Sequence, residues 1–163
     1  MSDQNILTHS QVIILNDIRS AHNVGAIFRT AEGAGVKKIY LCGYTPRPVD
    51  RFGRAVLEIK KTSLGASEMV EWEGAGDVEQ LIRQLKEEGV QVVAVELAPS
   101  AVSLYQFTPS QQVAYIFGNE VTGILPEVRA LCDVTLQIPM RGQKESLNVA
   151  TTVGIVVFHH PPF

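Results

Sequence analysis

Three polar clusters interrupt the apolar runs of this chain, and the last of them is the richest in groups that could hold a ligand. In this cluster, residues 138–149, a polar loop containing glycine follows one apolar run and precedes another. The hydroxyl of Ser146 and the backbone around Gly142 could orient a ligand, and Ile138, Met140 and Leu147 could line an apolar slot. The alternative is a helix capped by Ser146, with its apolar neighbours in a core.

The first cluster, residues 23–30, combines an amide with a guanidinium. Arg29 could bind a phosphate as a fork, whereas a simpler interpretation makes Asn23 a helix cap and Arg29 a solvated side chain. On a regular helix these two residues lie roughly 240° apart around the axis. They share a face only if Asn23 lies in the turn before the helix.

The middle cluster, residues 118–123, follows an apolar run that ends at Phe117. Open α/β sheets place ligand-binding loops at this position, after the carboxyl end of a strand. The cluster lacks the Gly-Lys-Ser/Thr ending of a Walker loop, and no G-x-G-x-x-G follows the first apolar run, so phosphate binding there has little support. An ordinary turn, whose glycines supply unusual backbone angles, explains the cluster equally well.

A basic segment, residues 43–65, lies between the first two clusters and sets five basic residues against Asp50 and Glu58. Tyr44 and Phe52 lie among them, so the segment could grip a phosphate backbone and stack on bases. A solvated loop is an equally good interpretation. The five basic residues are Arg47, Arg51, Arg54, Lys60 and Lys61.

The charge of the whole chain excludes a general attraction to nucleic acid. It has 14 basic and 17 acidic residues, a formal net charge of −3 at pH 7, so any RNA contact must use a local patch. The four histidines do not have metal-ligand spacing, and Cys42 and Cys132 form neither a C-x-x-C pair nor a disulfide framework. We therefore expect no metal site and two reduced thiols, as in cytosolic proteins.

Short β-rich runs alternate with helical stretches, which predicts an α/β fold with a largely parallel sheet. Strands are predicted at residues 12–15, 39–42, 68–72, 91–97, 113–117 and 134–138. Helices are predicted at 24–33, at 126–131 and from a cap at Asp77 to residue 88, where Gly89 ends an amphipathic run. Residues 149–158 are ambiguous, because their β-branched side chains favour a strand while Ala150 and Gly154 permit a helix.

The extent of the chain indicates one domain over residues 1–163, large enough to bury roughly two-thirds of its unfolded surface. The first eleven residues lack the basic start and apolar stretch of a signal peptide. No window approaches the roughly 18 apolar residues of a membrane span. We expect a soluble, cytoplasmic protein that does not contact membranes.

Taken together and in this order, the three clusters resemble the motifs of the SpoU (TrmH) branch of the SPOUT RNA methyltransferases. The matching patterns are N-x-G-A-x-x-R-T at residues 23–30, F-G-N-E-x-x-G at 117–123 and I-P-M-x-G-x-x-x-S-L-N-V at 138–149. Residues 61–66 also look like the family's middle segment. The similarity extends over residues 12–158, and three ordered motifs are far more specific than any one of them.

This resemblance implies an α/β knot, with a mostly parallel sheet, helices on both faces and a C-terminal trefoil knot. Family members are typically homodimers that bind S-adenosylmethionine in the knot and methylate a ribose 2′-hydroxyl of tRNA or rRNA. The same implication makes residues 149–158 a helix, against their local propensity.

The resemblance also implies roles for particular residues. Those that match the family's catalytic positions are Asn23, Arg29, Glu120, Ser146 and Asn148. Those expected around the cofactor are Leu97, Gly118, Ile138, Met140, Ser146 and Leu147, and the five basic residues of the basic segment are expected to contact RNA. Because a guanidinium has donors and no acceptor, we expect Arg29 to bind the target phosphate and polarise the hydroxyl rather than act as a base.

Two other functions are compatible with parts of the sequence. A catalytically inactive knot protein could bind RNA or S-adenosylmethionine as a module, although it would be free to lose some of the five catalytic matches. A flavodoxin-like nucleotide-binding domain fits the alternation of strands and helices but explains none of the three clusters.

Overall fold

The computed structural model describes residues 9–160, in which strands alternate with helices as predicted. The strands are β1 (Ser10–Asn16), β2 (Lys38–Cys42), β3 (Glu71–Ala75), β4 (Gln91–Val95), β5 (Val102–Ser103), β6 (Gln112–Phe117) and β7 (Val134–Gln137). The helices are α1 (Ala21–Gly33), α2 (Leu57–Ser63), α3 (Val78–Glu87), α4 (Pro126–Leu131) and α5 (Val149–His159). Most of the stretch tested for a signal peptide, residues 1–8, lies outside the described range.

The strands form one sheet in the order β3-β2-β1-β6-β4-β7-β5, and each neighbouring pair is parallel. The carboxyl ends of all these strands therefore lie at one edge. Because β1, β6, β4 and β7 are consecutive in the sheet, the loops that follow them are neighbours at that edge. The parallel α/β architecture predicted from the sequence is confirmed.

Helices cover both faces of the sheet, because successive side chains of a strand point to opposite sides. Ile13 and Leu15 of β1 belong to an apolar cluster that α1, α2 and α5 complete, while Ile14 belongs to a second cluster completed by α3 and α4. The central strands are consequently apolar on both sides, as expected for a buried parallel sheet.

Helix α5 confirms the conformation that the family resemblance implied. Val153, Val156 and Val157 are fully buried against the first cluster, so tertiary packing overrides the β-propensity of this run. The predicted cap is wrong, however. The helix begins after Asn148, whose side-chain oxygen accepts hydrogen bonds from the backbone of Ala150 and Thr151.

Two other segments differ from the predictions. The strand predicted at 68–72 is instead β3, three residues further on, while residues 66–68 form a 3₁₀ turn. β3 lies at the edge of the sheet, has no buried residue and contains two glutamates and a glycine, so its sequence has little of the apolar pattern on which strand prediction depends. The basic segment contains a helix, α2, and is therefore not only a solvated loop.

No helix in residues 9–160 has both the length and the apolar character needed to cross a membrane. The described residues also contain no group of three His, Cys, Asp or Glu side chains arranged to hold a metal ion. The trefoil knot remains a prediction.

Candidate functional site

A cavity of about 340 Å³ lies at the carboxyl edge of the sheet, between the loops that follow β4, β6 and β7. Its position agrees with the rule that open α/β sheets bind ligands beyond the carboxyl ends of their strands. The six residues expected around a cofactor all line it, although they come from three separate parts of the chain. They are Leu97, Gly118, Ile138, Met140, Ser146 and Leu147.

The loop after β6 contains two glycines, Gly118 and Gly123, that lie close together. A Cβ at Gly118 would lie 2.5 Å from the carbonyl carbon of Gly123, and Gly123 itself has a φ of +67°. The buried side chain of Asn119 anchors the loop, donating to the Asp17 carbonyl at 2.9 Å and to the Tyr44 hydroxyl at 2.8 Å. The wall of the cavity is thus fixed to the loops after β1 and β2.

Glu120 connects this loop to the start of α1. Its carboxylate accepts hydrogen bonds from the backbone of Arg19 at 2.9 Å, from the backbone of Ser20 at 3.2 Å and from the Asn23 amide at 3.4 Å. Partial burial tends to raise the pKa of Glu120, but these hydrogen bonds, together with one from its own backbone, lower it on balance. The carboxylate therefore stays ionised at neutral pH.

Asn23 and Asn148 extend the same network. The amide of Asn148 donates to the side-chain oxygen of Asn23 at 3.2 Å while its own oxygen caps α5. Asn23 is not the cap of α1, because Ser20 has that role and accepts from the Asn23 backbone. The structure thus joins Glu120, Asn23 and Asn148 in one chain of hydrogen bonds beside the cavity.

The two remaining predicted catalytic residues lie in different places. Ser146 is exposed and lines the cavity. Arg29 does not reach it and lies in a second, open cleft of about 630 Å³ on the α1, α2 and α5 side of the molecule, lined also by Lys61 and Phe158. Asn23 lies inside α1 and not in the turn before it, so within one chain Asn23 and Arg29 do not share a face of the helix, as their spacing predicted.

The basic segment does not form one surface. Arg51 and Arg54 lie over the ring of Phe52, with guanidinium carbons 4.7 and 5.1 Å from its centroid, at a turn that leaves Phe52 66% exposed. Arg47 packs against Gly74 of β3, where a Cβ would collide with its guanidinium. Lys60 and Lys61 lie in the last turn of α2.

Sequence reasoning missed two charged residues of the cavity, Glu96 and Glu145. Glu96 directly follows β4, and its carboxylate accepts from the backbone of Leu97 at 3.0 Å and of Ile124 at 2.8 Å. The only signal in the sequence is a carboxylate at the end of an otherwise apolar run. Its more distant partner, Ile124, belongs to another loop and could not be anticipated.

The arrangement suits a neutral or cationic ligand with a flat apolar part. Leu97, Ile138, Met140 and Leu147 supply apolar surface, and the glycines of the β6 loop expose backbone donors and acceptors. The charged groups in the wall are the carboxylates Glu96, Glu120 and Glu145. No lysine or arginine among the residues of the described range lines this cavity, so it is poorly suited to a phosphate.

Comparisons with known proteins agree with the motifs. The family model described as the SpoU rRNA Methylase family matches residues 10–158. A 23S rRNA (guanosine-2′-O-)-methyltransferase, RlmB, from Neisseria meningitidis is 29% identical over 154 residues, which are 94% of this chain and 59% of that protein. A tRNA (guanosine(18)-2′-O)-methyltransferase from Borreliella burgdorferi is also 29% identical, over 94% of this chain and 67% of its own length.

A solved structure provides the same match in three dimensions. The AdoMet-bound rRNA methyltransferase from Sinorhizobium meliloti superimposes with a TM-score of 0.84 and 31% identity. The match covers 93% of this chain but 56% of that one. The chain thus spans little more than half the length of the rRNA methyltransferases that it matches.

Proposed function

The chain belongs to the SpoU rRNA methylase family, and on that premise we propose that it is an S-adenosylmethionine-dependent RNA ribose 2′-O-methyltransferase. One observation carries the proposal: residues of two distant motifs surround one cavity, and Asn23 of the third motif is joined to them by the Glu120–Asn23–Asn148 network. We treat residues 1–163 as a single methyltransferase domain, because the match extends over nearly all of it. The substrate class is tRNA or rRNA.

The cavity fits the cofactor by its shape and by its donors. Because Gly118 has no Cβ, it can lie directly against the Gly123 backbone, and the loop that both residues belong to forms one wall of the cavity. Apolar side chains of Leu97, Ile138 and Leu147 line the cavity as well, and S-adenosylmethionine carries no phosphate that would need a cation. When bound, the cofactor supplies an electrophilic methyl group.

The residues of the network position the reacting groups. Methyl transfer needs an in-line arrangement, for which correct positioning supplies much of the rate. Glu120 holds the first turn of α1, Asn23 holds Asn148, and Asn148 fixes the start of α5 next to the cavity. Ser146, exposed at the rim, is free to bind the ribose.

Arg29 binds the phosphate next to the target ribose and polarises its 2′-hydroxyl. A guanidinium offers five N–H donors and no acceptor, so the proton passes to a phosphate oxygen or to water. Replacement of Arg29 by alanine should lower the methylation rate about a hundredfold, as the removal of a positioned donor does at other sites. An undiminished rate for Arg29→Ala would exclude this role.

We propose a homodimer because Arg29 lies outside the cavity of its own chain. Its cleft is bordered by exposed apolar side chains, Leu64 next to α2 and Phe158 on α5, the latter 56% exposed. Pairing through this side would cover them and could bring the partner's Arg29 to the cavity.

We expect sedimentation to show a dimer, and we expect Phe158→Asp to dissociate it. Met69→Asp, at another exposed apolar residue, is the matched control and should leave the dimer intact. A monomeric wild type would refute the dimer.

RNA contacts are proposed for the basic segment and for Lys61 in the cleft of Arg29. Arg51 and Arg54 flank an exposed ring, a combination that suits an unpaired base and its phosphate. Arg47, against β3, and Lys60 and Lys61, on α2, would supply separate contacts to phosphates. Since the net charge is −3, we expect affinity for RNA to fall steeply with salt.

The cytoplasm is the proposed compartment. Both cysteines are free, and burial raises the pKa of Cys42 to about 12, which keeps that thiol protonated and unreactive. Reduced, inert cysteines are typical of cytosolic proteins. Cell fractionation that recovered the protein outside the cytoplasm would contradict this assignment.

The decisive experiment is a methylation assay with purified protein. Methyl-labelled S-adenosylmethionine is incubated with unmodified bulk tRNA or rRNA, the RNA is digested to nucleosides, and 2′-O-methylated products are separated by chromatography. We expect label in a ribose, incorporated about a hundredfold more slowly by Arg29→Ala. Label on a base alone would refute ribose methylation, and cofactor binding without transfer would favour an inactive binding protein.

A further inference from the structure

Glu96 is held at the wall of the cavity by contacts that aim its carboxylate. Its backbone N–H donates to Leu136 of β7 at 2.9 Å, which extends the ladder between β4 and β7 by one residue. The side chain then reaches the loop after β6, where one oxygen accepts from Ile124 at 2.8 Å. The other oxygen accepts from Leu97 at 3.0 Å. Glu96 therefore joins two of the three loops that form the cavity.

Gly123 makes room for this carboxylate. A Cβ at Gly123 would lie 2.3 Å from the nearer oxygen of Glu96, so a larger residue there would displace it. The positive φ of Gly123 independently favours glycine. The backbone of the β6 loop is thus shaped around an acidic side chain that belongs to a different loop.

The carboxylate retains unused capacity to accept hydrogen bonds. An ionised carboxylate has about four lone-pair sites, and the backbone donors of Leu97 and Ile124 occupy two. None of the ion pairs in residues 9–160 includes Glu96, so no cation neutralises it. A half-buried carboxylate that lines a ligand cavity in this state can accept further hydrogen bonds from a bound ligand.

We propose that Glu96 accepts hydrogen bonds from the two ribose hydroxyls of the cofactor. This inference rests on the proposed function, which assigns S-adenosylmethionine to the cavity. Two vicinal hydroxyls match the two oxygens of one carboxylate, and acidic residues bind ribose hydroxyls beside strand ends in other open α/β sheets. The apolar residues of the cavity, Leu97, Ile138 and Leu147, are left for the adenine.

The test measures binding rather than turnover. Isothermal titration calorimetry compares S-adenosylhomocysteine with its 2′-deoxy and 3′-deoxy analogues on the wild type, on Glu96→Gln and on Glu145→Gln. Hydrogen bonds to a charged group are worth about tenfold to a hundredfold in affinity, so the wild type should lose roughly that factor with a deoxy analogue. In Glu96→Gln the parent ligand should bind more weakly, and the loss caused by removing a hydroxyl should shrink to about threefold or less.

Glu145→Gln is the matched control, because it removes a carboxylate from the same cavity wall and leaves Glu96 in place. It should retain the full difference between the parent ligand and the deoxy analogues. If the wild type binds S-adenosylhomocysteine but binds both deoxy analogues equally well, Glu96 does not hold the ribose, while the proposed function stands. The comparison of ligands on the wild type does not depend on whether any variant folds. If the wild type binds no S-adenosylhomocysteine at all, the proposed function fails together with this inference.

The positive charge of S-adenosylmethionine allows a second test, which distinguishes binding of the ribose by Glu96 from attraction of the sulfonium. If Glu96 instead attracted the positive sulfonium, Glu96→Gln would weaken S-adenosylmethionine more than S-adenosylhomocysteine and would leave the deoxy difference intact. That outcome would overturn the inference. Equal weakening of both ligands, with loss of the deoxy difference, supports it.

Discussion

The cavity network and the arginine turn, residues 50–54, are both built around a carboxylate, but they are assembled over very different distances along the chain. Glu120 and Asn148 bind residues about one hundred positions or more away, Arg19 and Asn23. Asp50, in contrast, accepts hydrogen bonds from Phe52 and Arg54, two and four residues on. The network can exist only in the folded sheet, whereas the turn organises itself locally.

Because of this difference, substitutions in the two regions should change different properties of the protein. A change in the network should affect the positions of several loops, and hence cofactor binding and stability together. A change in the turn should affect RNA binding alone, because the turn is exposed and other parts of the fold do not depend on it.

Gly118→Ala should have the largest effect. The added Cβ would lie 2.5 Å from one backbone atom of Gly123 and 2.6 Å from another, so the β6 loop must move. A displacement of about 1 Å at a reacting site can cost roughly a hundredfold in rate, and we expect cofactor affinity to fall by a similar factor. Calorimetry with S-adenosylhomocysteine measures the loss. Gly76→Ala is the control, since a Cβ there meets nothing within 4 Å, and a comparable loss in that variant would show that the effect is unspecific.

Glu120→Gln should lower the methylation rate about thirtyfold, because charged hydrogen bonds to the start of α1 are replaced by weaker ones. Stability should fall by roughly 1 kcal/mol at pH 7, near the low end for such bonds since the group is partly exposed. Denaturant unfolding monitored by circular dichroism measures the second effect, with Glu87→Gln as an exposed control. Unchanged stability would indicate that the network does not hold the loops.

The pH dependence of that stability difference follows from the direction of the shift. The pKa of Glu120 is lower in the folded protein than its ordinary value of 4.5, so the stabilisation is complete well above 4.5 and is lost as the pH falls through the folded-state pKa. Wild type and Glu120→Gln should therefore differ fully near pH 7 and converge below pH 4.5. A difference that grew on acidification would contradict the assignment.

Phe52→Ala should weaken RNA binding about fivefold, near the low end for loss of a stacked base, because the ring is exposed. The free energy of unfolding should stay within about 0.5 kcal/mol of the wild type. Tyr105→Ala removes another exposed ring and serves as the control. A filter-binding assay at low salt gives the affinities. Loss of stability in Phe52→Ala would show that the stability of the fold depends on the arginine turn.

The same contrast explains how much could be predicted from the sequence. The parallel α/β fold followed from the alternation of apolar runs, and the residues of the cavity followed from motifs. The sequence offers Ser146 as an alternative cap for α5, but Asn148 is the cap, because both are good capping residues and the position of the cap depends on where α5 meets the sheet. Local sequence cannot predict which of the two residues is the cap, because tertiary packing determines where α5 begins.

Two further residues show the limit more sharply. Glu96 was missed, since its carboxylate is explained only by Ile124, 28 positions away in another loop. Arg29 was included with the catalytic residues, yet it lies in a separate cleft, as its angular position on α1 relative to Asn23 had indicated. The angle between Asn23 and Arg29 could be predicted because helical geometry is local, whereas the place of Glu96 in the cavity could not, because it depends on the order of strands in the sheet.

Asp50 offers the smallest and most specific test of local organisation. Hydrogen bonds from the backbone of Arg54 and then of Phe52 outweigh partial desolvation and lower the pKa of Asp50, so its carboxylate is an ionised acceptor that holds the turn. Asp50→Ala and Asp50→Asn both remove the negative charge beside the RNA, but only asparagine keeps a side-chain oxygen for the backbone donors. If the turn is preorganised by these bonds, the alanine variant should bind RNA about two- to threefold more weakly than the asparagine variant. In a Phe52→Ala background the two variants should bind equally, since there is then no ring to present. A difference that persisted there would mean that Asp50 acts on RNA by some route other than the presentation of Phe52.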